Sequence, residues 1–226
     1  MGKSVIITPE EAKRGIYIDF EGFGKQKCEK LPLPHLLGCV VGKEKHAFLL
    51  QEKYAPVARS SSIAEWNTLE VASIDDAVEQ LYQRAKKEKR LILAYSVHEL
   101  NAVKRHCREA ISKNFSKSFI NAKSVAETWR NKCHGRHKPE GNTLKGYFKL
   151  IDHDTGIEEG FKMTSVLKSM DKELDKTKCW RNIDKHVKSQ WVTLLEYNYQ
   201  DCKGLRKLTV KAANGLAAKL KGRSQR

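Results

Sequence analysis

The chain has 226 residues, is 40% hydrophobic and carries a formal net charge of +16. No run of about 18 apolar residues occurs, which excludes a membrane-spanning helix, and the cysteines lack the regular spacing of a disulfide-stabilised secreted domain. A globular protein this basic usually binds a polyanion, so we expect nucleic acid as its partner, although a lysine-rich solvated surface gives the same total.

The length predicts a single domain over residues 1–226, ending in a basic tail over about residues 216–226. Residues 1–9 lack the apolar core of a signal peptide, which predicts a cytoplasmic protein. Nothing in the sequence indicates an oligomeric state.

Three strands are predicted early in the chain, over residues 15–21, 36–42 and 45–50. Residues 42–45, Gly-Lys-Glu-Lys, look like a hairpin turn between the second strand and the third, so these strands are expected to pair antiparallel. The residues that follow, 51–72, are predicted to be irregular.

The middle of the chain alternates helices and short strands. Ser73 is the predicted N-cap of a helix that runs to about Lys89. The next predicted elements are a strand over 91–95, a helix over 99–111, a strand over 118–122 and a helix ending near Trp129.

The remainder is less regular. Residues 130–190 show no sustained periodicity, apart from a possible helix over 143–150, and a long basic helix is predicted over about 191–220. Together the elements predict an α/β fold with a mixed sheet, in which three antiparallel strands are followed by parallel strands and flanked by helices.

The first strand contains two carboxylates in an otherwise apolar run. Because side chains alternate along a strand, Asp19 and Glu21 share one face, while Ile16, Ile18 and Phe20 share the other. Two neighbouring carboxylates repel each other and are costly to desolvate unless a cation lies between them. The pattern therefore predicts a divalent metal ion at Asp19 and Glu21.

Polar residues also interrupt the apolar stripe of the last helix. That stripe, spaced by three or four residues, consists of Leu194, Asn198, Asp201, Leu205, Leu208 and Ala212. A carboxylate in a core-facing stripe is rarely left without a partner, and Tyr197 neighbours Asp201 one helical turn earlier. A fourth carboxylate, Glu99, begins a helix at the end of the 91–95 strand, and active sites of open α/β sheets often lie at such strand ends.

The order of these segments resembles the DEDD superfamily of ribonuclease H-like exonucleases, and most closely the YprB-type ribonuclease H-like domain. The resemblance covers residues 15–215. It rests on Tyr-Ile-Asp-Phe-Glu-Gly at 17–22, Tyr-Ser-Val-His-Glu at 95–99 and Tyr-Asn-Tyr-Gln-Asp at 197–201, with 36–40 and Asn-Thr-Leu-Lys at 142–145 as further similar segments.

The resemblance implies a ribonuclease H-like fold and a nuclease that hydrolyses phosphodiester bonds, as a 3′–5′ exonuclease on single strands. It implies a two-metal-ion mechanism with Mg²⁺ or Mn²⁺. By the same resemblance the metal ligands are Asp19, Glu21, Glu99 and Asp201. Asp19 and Glu21 are also catalytic together with Tyr197, which helps to position the attacking water.

Two positions bear on how closely the chain resembles the superfamily. Glu99 stands where the family more usually has Asp, so His98 is the alternative for the fourth ligand. Glu196 occupies the position at which the histidine branch would have His, and Tyr197 therefore assigns the chain to the tyrosine branch.

Five residues outside the carboxylate motifs are expected to contact nucleic acid: Lys104, Arg105, Trp180, Arg181 and Lys203. Trp180 would stack a base, with core packing as the alternative. Residues 133–137, Cys-His-Gly-Arg-His, look like half of a zinc site, but no partner pair occurs, and a basic loop is the favoured interpretation.

The sequence leaves two other functions open. One is a nucleic-acid-binding module of the same fold without catalysis, and the other is an endonuclease of the same superfamily. The sequence does not distinguish DNA from RNA as the bound nucleic acid.

Overall fold

The computed structural model describes residues 5–23, 31–58, 68–135, 139, 142–156 and 160–224. Within these ranges six strands form one sheet: β1 (Ile16–Glu21), β2 (Leu36–Val41), β3 (Glu44–Leu49), β4 (Thr68–Val71), β5 (Ile92–Ala94) and β6 (Phe119–Asn121). The helices in the same ranges are α1 (Pro9–Arg14), α2 (Ala55–Ala58), α3 (Ile74–Glu88), α4 (His98–His106), α5 (Glu109–Ser118), α6 (Ala122–Cys133), α7 (Leu144–Leu150), α8 (Met163–Thr177) and α9 (Lys185–Ser224).

The strand order is β4-β3-β2-β1-β5-β6. β1, β2 and β3 form an antiparallel meander in which Asp19 lies opposite Gly38, and β5 and β6 extend the sheet in parallel beside β1. The predicted α/β class and mixed sheet, with antiparallel strands first and parallel strands later, are confirmed.

The edge strand β4 lies in a segment predicted to be irregular, so that prediction is wrong. β4 has four half-buried residues that pair in parallel with β3, from His46–Thr68 to Leu49–Val71. A strand this short is held by its partner strand, and a local sequence pattern does not report such long-range pairing.

The two faces of β1 pack against different helices. Ile16 and Ile18 belong to a core cluster with residues of α3 and α5, whereas Tyr17 belongs to a cluster with residues of α6, α7 and α9. Because side chains alternate, Asp19 and Glu21 share the face of Tyr17 and point towards α9. The predicted division of the strand into two faces is confirmed.

The predicted helix over 99–111 is wrong, because two helices occupy that segment. α4 ends at His106 and α5 begins at Glu109. The carboxylate of Asp75 accepts hydrogen bonds from the backbone N–H of Arg108 at 2.9 Å and from its Nε at 2.8 Å. This contact holds Arg108 outside either helix, at the N-cap position of α5.

The C-terminal third is more helical than predicted. α8 lies in the segment judged to lack periodicity, and it buries Val166, Leu167, Met170 and Leu174. α9 begins at Lys185 rather than 191 and continues to Ser224, so most of the predicted basic tail is helical. The helix expected over 143–150 is confirmed as α7, which Thr143 caps by accepting the N–H of Gly146 at 3.1 Å.

The helices of the described ranges include none with the length and apolar character that a membrane span requires.

Candidate metal centre

β1 and α9 bring three carboxylates together on one face of the sheet. One oxygen atom from each of Asp19, Glu21 and Asp201 lies within 4.8 Å of the other two. Asp19 and Glu21 reach this position because they alternate with apolar residues along β1. Asp201 reaches it because the buried stripe of α9, which includes Leu205 and Leu208, packs against the sheet.

The amide of Asn198 holds Asp19 in place. Asn198 is completely buried, and its Nδ2 donates to the backbone O of Asp19 at 3.2 Å and to its Oδ2 at 3.0 Å. Gly38 makes room for this side chain, since a Cβ at that position would lie 1.5 Å from Asn198 Oδ1. The sequence marked Asn198 as a polar residue in a core stripe, but its contact with the site was not predicted.

Burial raises the pKa of all three carboxyl groups, and repulsion from neighbouring carboxylates adds to it at Asp19 and Glu21. Burial is the largest cause for Asp19, whose pKa rises well above its usual value, and the charges of Glu21 and Asp201 add to it. Burial and the charge of Asp201 raise the pKa of Glu21 to about 8, although hydrogen bonds from Asp19 and Asn198 act in the opposite direction. Such a cluster favours protonation unless a cation neutralises it.

Asp201 is the least satisfied member of the cluster. Its Oδ1 is buried without a hydrogen-bond partner. Burial raises the pKa of Asp201 to about 7, and the positive charge of Lys145 together with the Tyr197 hydroxyl lowers it only in part. A carboxylate with a buried, unpartnered oxygen, close to two other carboxylates, is a suitable ligand for a divalent ion.

Tyr197 and Lys145 border the cluster. The Tyr197 ring is buried and stacks on Phe161, with ring centroids 5.8 Å apart, and burial followed by the charge of Asp201 raises its hydroxyl pKa. Lys145 Nζ lies 5.5 Å from the centroid of the same ring. The capped start of α7, one of the segments in the family resemblance, therefore places a cation beside the carboxylates.

Glu99 lies next to the cluster without belonging to it. Glu99 is buried at the start of α4, where its Oε2 accepts the hydroxyl of Ser96 at 3.1 Å. Its charge raises the pKa of Asp19 and Glu21, so it is close enough to act on both. His98, the alternative fourth ligand, is exposed. Within the described residues, the grouped oxygen atoms come from Asp19, Glu21 and Asp201 alone.

Comparisons with known proteins identify no relative. No protein-family model, no curated protein and no solved structure matches this chain. The superfamily assignment therefore stays a prediction from the motifs.

The residues predicted to contact nucleic acid lie on three different elements. Lys104 and Arg105 are exposed in the last turn of α4. Lys203, on α9, has its Nζ 5.8 Å from the ring centroid of Tyr199. Trp180 and the exposed Arg181 form a 3₁₀ turn between α8 and α9.

Part of the Trp180 ring is already covered. Trp180 packs against the core cluster that contains Trp191 and Leu194, and Lys188 Nζ lies 5.6 Å from its centroid. The structure thus gives Trp180 a packing role, and base stacking by this residue stays a prediction.

The segment expected to be a basic loop is described only in part. Cys133 ends α6 and its Sγ donates to the O of Gly215 at 3.6 Å, while the His134 ring packs on Trp129. Residues 136–138 lie outside the described part of the chain, so His137 is not placed.

Proposed function

We propose that this protein is a metal-dependent nuclease that hydrolyses phosphodiester bonds at the Asp19–Glu21–Asp201 cluster. The observation that carries the proposal is the convergence of three buried or partly buried carboxylates, whose pKa values are raised by burial and, at Asp19 and Glu21, also by repulsion between the carboxylates. A structural role would not require three acids to face one another, because the repulsion opposes folding.

The donor atoms of the cluster fit a hard divalent cation. All three are carboxylate oxygens, and one oxygen of Asp201, the buried Oδ1, has no hydrogen-bond partner. Oxygen ligands of this kind favour Mg²⁺ or Mn²⁺ over Zn²⁺. Asp19, Glu21 and Asp201 would hold the ion or ions, with Glu99 as the neighbouring fourth carboxylate. The bound metal supplies a low-pKa water and charge stabilisation for a leaving oxygen.

The surrounding side chains have distinct tasks in this proposal. Asn198 fixes the orientation of Asp19 through its amide. The Tyr197 hydroxyl, next to Asp201, orients the attacking water, and Lys145 offers a positive charge to the phosphate. None of these three residues is proposed to bind the metal directly. Substituting any of them is therefore expected to lower the turnover rate more than the affinity for the metal.

Charge and shape support a nucleic-acid substrate. The net charge of +16 favours a polyanion. A cavity of about 140 Å³ opens beside Glu99 and is lined by Phe20, Phe23 and His98, which is a suitable surface for a base. The mixed sheet, with its antiparallel strands first, agrees with the ribonuclease H-like fold that the motifs imply. That fold, the 3′–5′ polarity and the preference for single strands are proposed from the resemblance.

The proposal is tested by cleavage of an end-labelled single-stranded oligonucleotide, offered as DNA and as RNA, with Mg²⁺, Mn²⁺ or chelator. Glu21→Gln is the variant of choice, because it removes one charge and keeps the side-chain shape. Glu44→Gln is a matched control, since Glu44 is also a strand glutamate but is paired with Arg84 at 2.7 Å. We expect metal-dependent shortening from the 3′ end that is lost in Glu21→Gln and kept in Glu44→Gln.

Other outcomes select other functions. Cleavage of a circular single strand would show an endonuclease, because an exonuclease needs an end. Binding of the oligonucleotide without cleavage under any metal would contradict the nuclease and leave a nucleic-acid-binding module. Equal loss of activity in both glutamine variants would show that the carboxylate cluster has no specific role in the reaction.

A further inference from the structure

A second concave surface lies on the opposite side of α9 from the carboxylates. It encloses a cavity of about 730 Å³ between α1, the turn after α7 and the second half of α9. The residues that line it include Lys13, Lys203, Arg206, Lys207 and Lys211. We call this surface the α9 groove.

The spacing of residues along α9 explains why the groove and the metal centre are separate. Lys203, Lys207 and Lys211 recur every four residues, with Val210 and Asn214 beside them, and form the outward face. Asp201, Leu205 and Leu208 lie on the inward face that packs on the sheet. One helix therefore presents acids to the metal centre and bases to the groove.

The cations of the groove are positioned by the fold. Lys207 Nζ donates to the backbone O of Asp152 at 2.9 Å, and an Arg206 amino group donates to the O of Lys13 at 3.4 Å. These acceptors are neutral carbonyl groups, so both cations keep their full charge. Arg206 Nε is buried and has no hydrogen-bond partner. Arg206 and four lysines line one cavity, and such a set of cations suits an anionic ligand.

The groove is not uniformly basic. Two carboxylates, Asp152 and Asp154, also line it, against five lysine and arginine side chains. Asp154 Oδ1 is occupied in accepting the N–H of Gly156 at 2.9 Å. The excess of positive charge stands on the α9 wall, and the apolar Val210 lies between the cations. Such a wall suits an extended phosphate backbone more than a single compact anion.

The helix α7 connects the groove to the metal centre. Lys145, at its start, lies beside Tyr197, and the turn at 152–154 that follows its end forms one wall of the groove. A helix of seven residues spans about 10 Å. A few nucleotides of an extended strand cover that distance.

We infer that the α9 groove binds the phosphodiester backbone of a nucleic-acid strand whose reacting end lies at the carboxylates. The inference rests on the proposed function for the identity of the strand. The groove then acts as a second, sequence-independent contact that holds long substrates and is not reached by short ones.

The test is binding of a labelled single strand of about 12 nucleotides and of a dinucleotide, by fluorescence anisotropy in chelator. The groove variant is Lys203→Glu/Lys211→Glu, and the matched control is Lys86→Glu/Lys87→Glu on the exposed end of α3, which changes the net charge equally. We expect the groove variant to lose about tenfold or more in affinity for the long strand, with a salt dependence shallower by about 1 in log–log slope. The control should change affinity by less than about twofold, and dinucleotide binding should be unaffected.

Three results would overturn the inference. Equal losses in both charge-reversed variants would show a general charge effect. An equal loss for the dinucleotide would place the groove residues at the reacting end. Unchanged strand binding with weakened binding of inorganic pyrophosphate would assign the groove to a free phosphate compound. Because chelator prevents cleavage, these results are independent of whether the protein is a nuclease.

Discussion

Asp171 on α8 and Asp201 on α9 are both largely withdrawn from solvent, yet their surroundings are opposite. Asp171 accepts a hydrogen bond from the Tyr54 hydroxyl, and Lys53 Nζ and His35 Nε2 lie 2.7 Å and 3.6 Å from its Oδ2. Burial alone would raise its pKa, but these three partners outweigh burial and lower the pKa to about 2. At Asp201 burial prevails, and the pKa rises to about 7.

The contrast indicates that Asp171 is a structural acid, whereas Asp201 is available to bind an external cation. The chain neutralises Asp171 with partners from two other segments, so it has the means to compensate a buried carboxylate. It leaves Asp201 Oδ1 without a partner, beside Asp19 and Glu21. The two regions adjoin, because the N–H of His35 donates to the backbone O of Glu21 at 2.8 Å. The difference between Asp171 and Asp201 therefore comes from their immediate neighbours.

The largest expected effect is on catalysis. Asp201→Asn removes one charged metal ligand and should lower the rate of metal-dependent cleavage about a thousandfold. The reason is that the metal stabilises the transition state by several kcal/mol, and each 1.36 kcal/mol lost lowers the rate tenfold. Asp171→Asn makes the same chemical change at the compensated acid and should keep activity within about threefold per folded molecule. Initial rates on the end-labelled oligonucleotide, corrected for folded fraction, measure both. Similar rates for the two variants would show that Asp201 is no more important for cleavage than Asp171.

The second effect is on stability in the presence of metal. A cation that binds only the folded state adds about 2.7 kcal/mol at a hundred times its dissociation constant, which corresponds to a rise in Tm of about 5–10 °C in a chain of this size. We expect Mn²⁺ to produce this rise in the wild type and in Asp171→Asn, but not in Asp201→Asn. Thermal unfolding followed by circular dichroism is the measurement. A rise in all three proteins would place the ion elsewhere.

The three carboxylates were predictable because each breaks a pattern set by secondary structure. Asp19 and Glu21 fall on one face of a strand whose side chains alternate, and Asp201 falls in a helical stripe spaced by three or four residues. These periods report which face a side chain occupies. They do not report how far apart two elements lie, and the contact between Asn198 and Asp19, 179 residues apart in sequence, was therefore missed.

The surroundings of Asp171 could not be predicted from the sequence. His35, Lys53 and Asp171 come from three segments, and nothing local links His35, which precedes β2, to Asp171, which lies 136 residues later in the sequence. α8, which carries Asp171, was also missed, although its buried residues Val166, Met170 and Leu174 recur every four residues, a spacing that is typical of a helix with one apolar face. α1 was also missed, as a six-residue helix whose signal is the capping box of Thr8 and Glu11. Tertiary packing supplies what these short or polar patterns lack.

The smallest expected effect is on the pH dependence of stability in the absence of metal. It tests the contrast between Asp171 and Asp201 most directly. Folding raises the pKa of Asp201 and Glu21 to about 7 and 8, so their contribution is fully present below pH 4 and is lost as the pH rises through 7 to 8. Folding lowers the pKa of Asp171, so its contribution is present above about pH 4 and is lost as the pH falls towards 2. In chelator, the stability of Asp201→Asn relative to the wild type should therefore rise by on the order of 2 kcal/mol between pH 5 and pH 8, because in this interval the unfolded wild type has released the Asp201 proton and the folded wild type still holds it, whereas Asp171→Asn should be less stable than the wild type at both values. Urea unfolding at the two pH values measures these differences. A wild-type stability that does not fall between pH 5 and 8 would mean that the cluster finds its counter-charge within the chain, and the argument for an external cation would fail.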